Sequence, residues 1–350
     1  MGFKGLNLNK HILKAIEEKN YSTPTPVQME AIPLILAKKD VIASAQTGTG
    51  KTAAFALPIL QMLFDKQEAS KKGKKIRALI ISPTRELAIQ IEDNFKAYST
   101  HTQLKTGIVF GGVAIEPQKN MLKNGVDILI ATPGRLLDLF KQEALKLHNI
   151  ETLVMDEADL MLDMGFIDDV YKITKVCPVN KQTLLFSATM PKKVVQLAND
   201  ILGDPEMVTI KPRVMTAEDI EQKLFYLPIG KKMQLALYLF RNELKSVIDQ
   251  NRGNIIIFRR TKYGVEKLEA FLKENNYKVE SIHGAKSQAL RQEALKTFKN
   301  NGVNILIATD VASRGIDIED IDLVINFDIT AIPETYVHRI GRTGRAGNKG

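Results

Sequence analysis

Residues 45–52, Ala-Gln-Thr-Gly-Thr-Gly-Lys-Thr, have the types and spacing to bind phosphate groups. They follow the apolar run Val41–Ala43 and precede apolar residues at helical spacing. Glycines let the backbone turn so that successive N–H groups point at an anion, and the helix start adds partial positive charge. Lys51 can then reach the outer phosphates of a nucleotide, and the Thr52 hydroxyl can meet Mg²⁺. Ala45 stands where such a loop usually has its first glycine, so a chance glycine turn is the alternative. The predicted nucleotide-binding residues of this segment are Ala45, Gln46, Thr47, Gly48, Thr49, Gly50, Lys51 and Thr52.

A group of acidic residues follows a second apolar strand, Thr152–Met155. Asp156 suits a place in the Mg²⁺ shell, and Glu157 suits polarisation of the attacking water, because phosphoryl hydrolysis needs mainly positioning and charge. Acids at a strand end can be ordinary solvated loop residues, but that does not explain their pairing with the loop at 45–52. Two hydroxyls, Ser187 and Thr189, end a further predicted strand and could link the nucleotide site to something beyond it.

Three other turns at predicted strand ends carry hydroxyls, glycine N–H groups, arginines and helix starts. This chemistry suits contact with phosphodiesters rather than bases, and open α/β sheets bind ligands at the carboxyl ends of their strands. Each turn taken alone could be a plain strand-to-helix loop. The residues are Pro83, Thr84, Arg85, Gly111, Gly112, Thr132, Pro133, Gly134 and Arg135.

Gln28 follows two prolines that stiffen the chain before a predicted helix at about residues 27–37. Its side-chain amide can offer a donor and an acceptor to a purine edge, and Phe3 could stack on the purine ring. Taken alone, this segment is better explained as an ordinary helix-start turn.

The positions of these residues depend on an alternation of predicted strands and helices, which indicates an α/β fold. A chain of 350 residues is long enough for two domains. We predict a first domain at 1–210, a linker at 211–219 where the periodicity breaks, and a second domain at 220–350. Strands of the second domain are predicted at 254–258, 278–282, 303–308 and 322–327, and helices near 232–250, 262–275, 288–300 and 334–340.

Composition limits the class of protein. No uncharged apolar run approaches the roughly 18 residues of a membrane span, and the first residues lack the hydrophobic core of a signal peptide. The single cysteine, Cys177, excludes an internal disulfide and a multi-cysteine metal site, and it favours a cytoplasmic location. We expect Cys177 to be a small core residue or an inert surface thiol. The net charge of +9 weakly favours a polyanionic partner.

The second half of the chain has no second phosphate-binding sequence but is rich in arginine, at Arg314, Arg339, Arg342 and Arg345. One domain would therefore hold the nucleotide and the other would supply cations. A cleft between them would complete the site on closure, with arginine stabilising charge on the transferred phosphoryl group.

In order and spacing, these motifs resemble those of the DEAD-box ATP-dependent RNA helicases of superfamily 2, most closely the bacterial RhlE-like branch. The segments that carry the resemblance are Pro24–Gln28, Ala45–Thr52, Pro83–Leu87, Thr132–Arg135, Asp156–Asp159, Ser187–Thr189, Ala308–Asp317 and His338–Arg345. The resemblance implies two tandem RecA-like domains, each a mostly parallel sheet flanked by helices. It also implies ATP and Mg²⁺ as cofactors and RNA, single-stranded or in short duplexes, as a largely sequence-independent partner.

The resemblance further implies roles for individual residues. Arg342 and Arg345 would be arginine fingers, Asp317 would meet the ribose, and His338 would couple to the Ser187–Thr189 segment. The implied set has catalytic residues Lys51, Asp156, Glu157, Arg342 and Arg345; metal-binding residues Thr52 and Asp156; coupling residues Asp159, Ser187, Thr189 and His338; and second-domain RNA-binding residues Gly284, Gln288, Arg291 and Thr309.

Two features depart from the family pattern. Arg259-Arg260 precedes Thr261 where family members often have a small or polar residue. The family core also normally continues past the position of Gly350 with a closing strand, a helix and often a basic tail. We therefore expect a truncated second domain and a missing tail that would contact ribonucleoprotein or RNA-processing partners. The alternatives are a DNA helicase or translocase on the same core and an ATP-gated RNA clamp. The chain has no tryptophan, which disfavours an extended base-stacking platform.

Overall fold

The computed structural model describes residues 2–46, 48–66, 75–210, 220–245, 253–313 and 321–344. The chain divides into two compact units, Met1–Pro212 and Arg213–Gly350. The division falls inside the segment predicted as the linker, and residues 211–219 themselves lie outside the described part of the chain.

The first domain contains seven short apolar strands that form one parallel sheet. Their bounds are β1 Val41–Ser44, β2 Ala78–Ile81, β3 Thr106–Val109, β4 Ile128–Ala131, β5 Thr152–Met155, β6 Gln182–Ser187 and β7 Glu206–Thr209. Neighbouring strands follow the order β3-β4-β2-β5-β6-β1-β7, and each pairing among them is parallel.

Helices cover both faces of this sheet. Their bounds are α1 Lys10–Glu18, α2 Pro26–Leu36, α3 Lys51–Asp65, α4 Arg85–Tyr98, α5 Glu116–Asn124, α6 Pro133–Lys141, α7 Ala158–Asp163, α8 Ile167–Val176 and α9 Lys192–Ile201, with a 3₁₀ turn at Phe3–Leu6. Alternate residues of a strand point to opposite faces: Ile80 packs into one core with Val154, whereas Leu79 and Ile81 pack into the other. Burial on both faces explains why the strands read as continuous apolar runs.

The second domain has a four-stranded parallel sheet in its described residues. Its strands are β8 Asn254–Arg259, β9 Val279–Ile282, β10 Ile305–Thr309 and β11 Ile321–Asn326. Its helices are α10 Lys232–Arg241, α11 Lys262–Glu274, α12 Gln288–Lys299, α13 Asp310–Ser313 and α14 Pro333–Ile340, with a 3₁₀ turn at Ile229–Lys231. The strand order is β11-β8-β10-β9. The predicted fold class, two α/β domains with parallel sheets, is confirmed.

One helix is shorter than the sequence predicts. We predicted a helix at 232–250, but α10 ends at Arg241. Asn242 donates its side-chain amide to the carbonyl of Tyr238 at 2.8 Å, and Leu244 N–H bonds to Leu239 instead of the residue four before it. A side chain that bonds to the helix carbonyls competes with further helical turns. Residues 246–250 lie outside the described residues.

An apolar groove of about 730 Å³ runs along β11 in the second domain. It is lined by Leu235 and Leu239 of α10, Leu323 and Ile325 of β11, and the segment 220–225. β11 lies at the end of the strand order of the described sheet, so its outer side borders this groove rather than another described strand.

Two compositional predictions can be compared with the structure. Cys177 is buried and unpaired, and burial raises the pKa of its thiol to about 11, as expected for an inert core cysteine. Among the described helices, none has both the length and the apolarity that crossing a membrane requires.

Candidate functional site

The order of the strands brings three predicted motifs of the first domain together. β5, β6 and β1 are neighbours in the sheet, and their carboxyl ends lead into Asp156–Asp159, Ser187–Thr189 and the glycine-rich segment, respectively. Because the strands are parallel, all three segments leave the sheet at the same edge. The glycine-rich segment is therefore close in space to the other two segments although more than 100 positions separate it from them in the chain.

The glycine-rich segment turns sharply between β1 and α3. Gly48 and Gly50 have φ angles of 84° and 88°, a region that side chains with a Cβ atom rarely adopt. Gly50 is the residue before α3, so the segment delivers Lys51 onto the first turn of that helix. Thr49 Oγ1 donates to the carbonyl of Gln46 at 2.7 Å and closes the turn. Thr47, predicted to belong to this site, lies outside the described residues.

Lys51 and Glu157 form a buried ion pair in which Nζ lies 2.8 Å from Oε1. The two residues are 5% and 6% exposed. Burial alone would lower the pKa of Lys51, but the charges of Glu157 and Asp156 outweigh it, so the pKa lies above its ordinary value. Lys51 is therefore held in its charged form, as contact with phosphate requires.

Asp156 is the second buried acid at this edge. Burial first, and then the neighbouring charge of Glu157, raise the pKa of Asp156 to about 7. Two buried acids beside one lysine leave the site short of positive charge, so its chemistry fits a divalent cation. No cluster of three or more His, Cys, Asp or Glu side chains suited to a metal occurs among the described residues. Asp156 offers a ligand of the kind that Mg²⁺ uses, because this ion usually binds through one or two carboxylates together with substrate phosphates and water.

Glu157 has an unusual backbone conformation. Its φ and ψ angles, 53° and 56°, lie in the left-handed region, and it is the residue before α7. A non-glycine residue in this region costs about 1–3 kcal/mol and persists where the surroundings enforce it. Glu157 has this conformation at the turn from β5 into α7, and its carboxylate contacts Lys51.

Asp159 connects the acidic segment to the segment after β6. Its Oδ2 accepts hydrogen bonds from Thr189 N at 2.9 Å and from Thr189 Oγ1 at 2.8 Å. Ser187 Oγ accepts from the backbone N–H of Asp159 at 3.2 Å and donates to the carbonyl of Thr189 at 2.6 Å. Three of the four predicted coupling residues, Asp159, Ser187 and Thr189, are thus in direct contact within the first domain.

Gln28 lies against the glycine-rich segment. Its Oε1 accepts from Thr25 N at 3.0 Å and its Nε2 donates to the carbonyl of Gly50 at 3.1 Å. These two bonds use one amide hydrogen and one lone pair, so one of each is left for a purine. Phe3 is 5% exposed and packs in the apolar core, so its ring has little free face for the predicted stacking on a base.

The three turns predicted to contact phosphodiesters follow β2, β3 and β4, which are also neighbours in the sheet. Thr84 Oγ1 accepts from Leu87 N at 3.3 Å and caps α4. Arg85 reaches the turn after β3, because a Cβ atom on Gly112 would lie 2.1 Å from its Nη1. Arg135 Nη2 donates to the carbonyl of Val113 at 3.0 Å.

The remaining residues of these turns lie beside these contacts. Pro133 is the first residue of α6 after Thr132, and a Cβ atom on Gly134 would meet no atom within 4 Å. Gly111 precedes Gly112 in the turn that Arg85 contacts. Gln118, on the first turn of α5, bonds to the backbone of this turn and is not among the residues predicted from the sequence, because its burial and its bonds are seen only in the structure.

In the second domain, β9 and β10 are neighbours. Gly284 follows β9 and has no atom within 4 Å of a Cβ position, and Thr309 ends β10. Gln288 and Arg291 lie on the first turn of α12, which Ser287 caps. The strand order thus places these candidates at neighbouring strand ends.

Arg339 anchors the end of α14 to other elements inside the second domain. Arg339 is 3% exposed, and its Nε and Nη2 donate to the carboxylate of Asp310 at 2.5 and 2.7 Å. Its Nη1 donates to Asn326 Oδ1 and to the carbonyl of Asp328. The sequence predicts Arg339 only as one of four cationic residues, because the partners that give it this anchoring role lie on other elements.

The other residues of the His338–Arg345 motif are placed as follows. His338 is half-exposed on α14, and Arg342 is buried, with its backbone N–H donating to the carbonyl of Arg339 at 3.2 Å. Asp317, Arg314 and Arg345, all predicted to act at the nucleotide or among the arginines, lie outside the described residues. Arg259 pairs with Asp328 at 3.0 Å within the second domain.

Known proteins with similar sequences show which family this chain resembles. The DEAD/DEAH box helicase family matches residues 25–197, and the helicase conserved C-terminal domain matches residues 238–347. The chain is 42% identical over 348 residues to the DEAD-box ATP-dependent RNA helicase RhpA of Helicobacter pylori, covering 99% of this chain and 68% of RhpA. It is 42% identical over 349 residues to the DEAD-box ATP-dependent RNA helicase CshA of Bacillus subtilis, again covering 99% of this chain and 68% of the relative.

Solved structures give the same result. A DEAD box protein from the hyperthermophile Methanococcus jannaschii is 40% identical with a TM-score of 0.58, covering 100% of this chain and 91% of that one. Saccharomyces cerevisiae Dbp5 bound to RNA and ADP BeF3 is 30% identical with a TM-score of 0.85, covering 100% of this chain and 88% of that one.

Proposed function

The chain belongs to the DEAD-box ATP-dependent RNA helicases, a family of ATP-hydrolysing enzymes, and we propose that it hydrolyses ATP at the edge formed by β1, β5 and β6. The observation that carries this placement is the buried Lys51–Glu157 pair beside Asp156, at the end of the glycine-rich segment. The assignment to the RhlE-like branch stays a prediction.

Lys51 and Glu157 have complementary roles in this proposal. In the structure each neutralises the other. A triphosphate that enters the segment offers Lys51 a stronger anionic partner, which frees the Glu157 carboxylate to accept a proton from the attacking water. Asp156 and Thr52 would hold Mg²⁺, which when bound neutralises charge on the phosphate oxygens.

The second domain contributes cations in this proposal. Arg342 and Arg345 would stabilise charge on the transferred phosphoryl group, and Asp317 would meet the ribose. Support for Arg342 comes from the Arg339 anchor, which fixes the end of α14 just before it. The amide of Gln28 would recognise the adenine with its remaining donor and acceptor.

We propose that RNA binds across the turns after β2, β3 and β4 in the first domain and at the ends of β9 and β10 in the second. Arg85, Arg135 and the Gly111–Gly112 N–H groups would contact phosphates, so binding would depend strongly on salt and weakly on sequence. Dbp5, which shares this fold, binds RNA and ADP BeF3, and this supports one chain holding both ligands. The single cysteine favours a cytoplasmic location, which stays a prediction. Ribonucleoprotein partners also stay a prediction.

The test is ATP hydrolysis by the protein with single-stranded RNA, with single-stranded DNA of the same sequence and with no nucleic acid. We expect RNA to stimulate hydrolysis and short RNA duplexes to be unwound when ATP is present. Stimulation by DNA alone would favour the translocase alternative. ATP-dependent RNA binding without turnover would favour the clamp.

A further inference from the structure

The turn between β3 and α5, residues 110–115, is closed by one side chain from the interior of the first domain. Gln118 Oε1 accepts a hydrogen bond from Phe110 N at 3.1 Å. Gln118 Nε2 donates to the carbonyl of Phe110 at 3.2 Å and to the carbonyl of Ala114 at 3.2 Å. A single amide therefore joins the first residue of the turn to a residue near its end.

The chemistry of these bonds selects an amide of this length. One partner is an N–H donor and two are carbonyl acceptors, so the side chain must both accept and donate. Gln118 is 8% exposed, whereas Gly112, Val113 and Ala114 are exposed. The amide thus lies beneath the turn, and the outer surface of the turn stays accessible. Removing a buried partner leaves backbone polar groups unsatisfied, which costs more than the bond itself contributes.

The same turn supports two arginines that come from neighbouring strands. The guanidinium of Arg85 lies against Gly112, whose φ angle of 78° and close approach both require glycine. Arg135 donates to the carbonyl of Val113. The turn is therefore contacted from below by Gln118 and laterally by Arg85 and Arg135, which follow β2 and β4, two strands on the same side of β3 in the sheet. A change in its backbone would change the positions of both guanidinium groups.

We propose that Gln118 is a positioning residue for RNA binding: it holds the 110–115 turn in the shape that aims the Gly111 and Gly112 N–H groups and supports Arg85 and Arg135. This rests on the proposed RNA contact at these turns. Gln118 itself does not touch the RNA. Gln118 orders the turn before RNA binds, and a preorganised turn loses less conformational entropy on binding.

The test compares Gln118→Met, which keeps the side-chain volume and removes all three hydrogen bonds, with the parent protein. We expect the RNA concentration that half-saturates ATP hydrolysis to rise about tenfold, which corresponds to the free energy of one to two hydrogen bonds. The rate at saturating RNA should change less than about twofold, because the proposed nucleotide site at β1, β5 and β6 does not include this turn. Fluorescence anisotropy of a labelled oligouridylate should show the same weakening.

Two controls separate this inference from the proposed function. Gln196→Met changes an exposed glutamine on α9, outside the elements that form the turns after β2, β3 and β4, and it should leave RNA binding unchanged. Gly112→Val places a side chain against Arg85 and tests the RNA site itself. If Gly112→Val leaves RNA binding intact, the RNA site is misplaced. If Gly112→Val weakens binding and Gln118→Met does not, the positioning role is wrong. If Gln118→Met does not fold, Gln118→Asn, whose amide is too short to span Phe110 and Ala114, decides between the same outcomes.

Discussion

Lys51 Nζ and Glu157 Oε1 lie 2.8 Å apart, and this pair joins the glycine-rich segment to the acidic segment inside the first domain. Removing one member of a buried pair leaves an uncompensated charge. The lysine that would hold the phosphates and the carboxylate that would activate water are therefore mutual partners in this structure. Replacement of that contact by a phosphate contact, as proposed above, would couple nucleotide binding to release of the base.

Glu157→Gln should separate ATP binding from hydrolysis. Glutamine keeps the size of the side chain but cannot accept a proton from water, and loss of a general base typically costs about 10²–10⁴ in rate. ATP affinity should be retained or improved, because Lys51 loses its competing anion. The measurements are ATP binding by fluorescence titration and RNA-stimulated phosphate release. Glu143→Gln is the control, since Glu143 is an exposed glutamate that also has a positive φ angle; unchanged turnover in Glu157→Gln would refute the assigned base.

Thr189→Val should weaken the coupling between the two motifs. Valine keeps the branched shape and the backbone N–H bond to Asp159, but it removes the hydroxyl that donates to Oδ2 at 2.8 Å. We expect RNA-stimulated ATP hydrolysis to stay within about threefold, since one neutral-to-charged hydrogen bond distant from the phosphates is lost, and duplex unwinding to fall further. Both are measured on the same preparation. Thr174→Val, which removes a bond within α8 only, is the control; equal losses of both activities would contradict a coupling role.

Arg339→Ala should destabilise the second domain. The substitution removes a two-bond contact with Asp310 and two further donors, and loss of one member of a buried pair costs about 3–5 kcal/mol. Because Asp310 is partly exposed, we expect a loss near the lower limit, about 3 kcal/mol, in the free energy of urea unfolding. Arg339→Lys should recover part of it, because lysine keeps the charge but not the planar fork. Arg241→Ala, which removes an exposed arginine bonded to Asn275, should have little effect. A loss in Arg339→Ala no larger than in that control would show that the anchor is weak.

Glu151→Gln should reduce stability at neutral pH but not in acid. Partial burial works toward a higher pKa, but hydrogen bonds from Arg77 and Lys66 outweigh it and lower the pKa of Glu151. A carboxylate whose folded pKa is lowered adds stability above its unfolded pKa, and that stability is lost as pH falls through the folded pKa. The difference in unfolding free energy between parent and variant should therefore be present at pH 7 and vanish in the acid range below the ordinary glutamate pKa. Glu30→Gln, at an exposed position, is the control; a difference that persists in acid would assign the effect to packing.

Local patterns in the sequence predicted much of this fold. Apolar runs predicted the strands closely: the strand predicted at 254–258 is observed at Asn254–Arg259. The glycine and lysine types at 48–52 predicted a tight turn into a helix, and both described glycines have the positive φ angles that such a turn needs. These features depend on neighbours in the chain, so composition and spacing contain them.

Apolar runs predicted most of the strands, and the residues after them predicted the turns and the chemistry that each turn carries. How those turns are grouped follows only from the packing of the strands. The order β3-β4-β2-β5-β6-β1-β7 collects Lys51, Glu157 and Thr189 at one half of the sheet edge and Arg85 and Arg135 at the other. It also brought Gln28 onto Gly50, Gln118 under its turn and Arg339 onto Asp310. Apolar periodicity indicates which face of a strand is buried. It does not indicate which strands are neighbours, because that choice depends on packing between residues far apart in the chain.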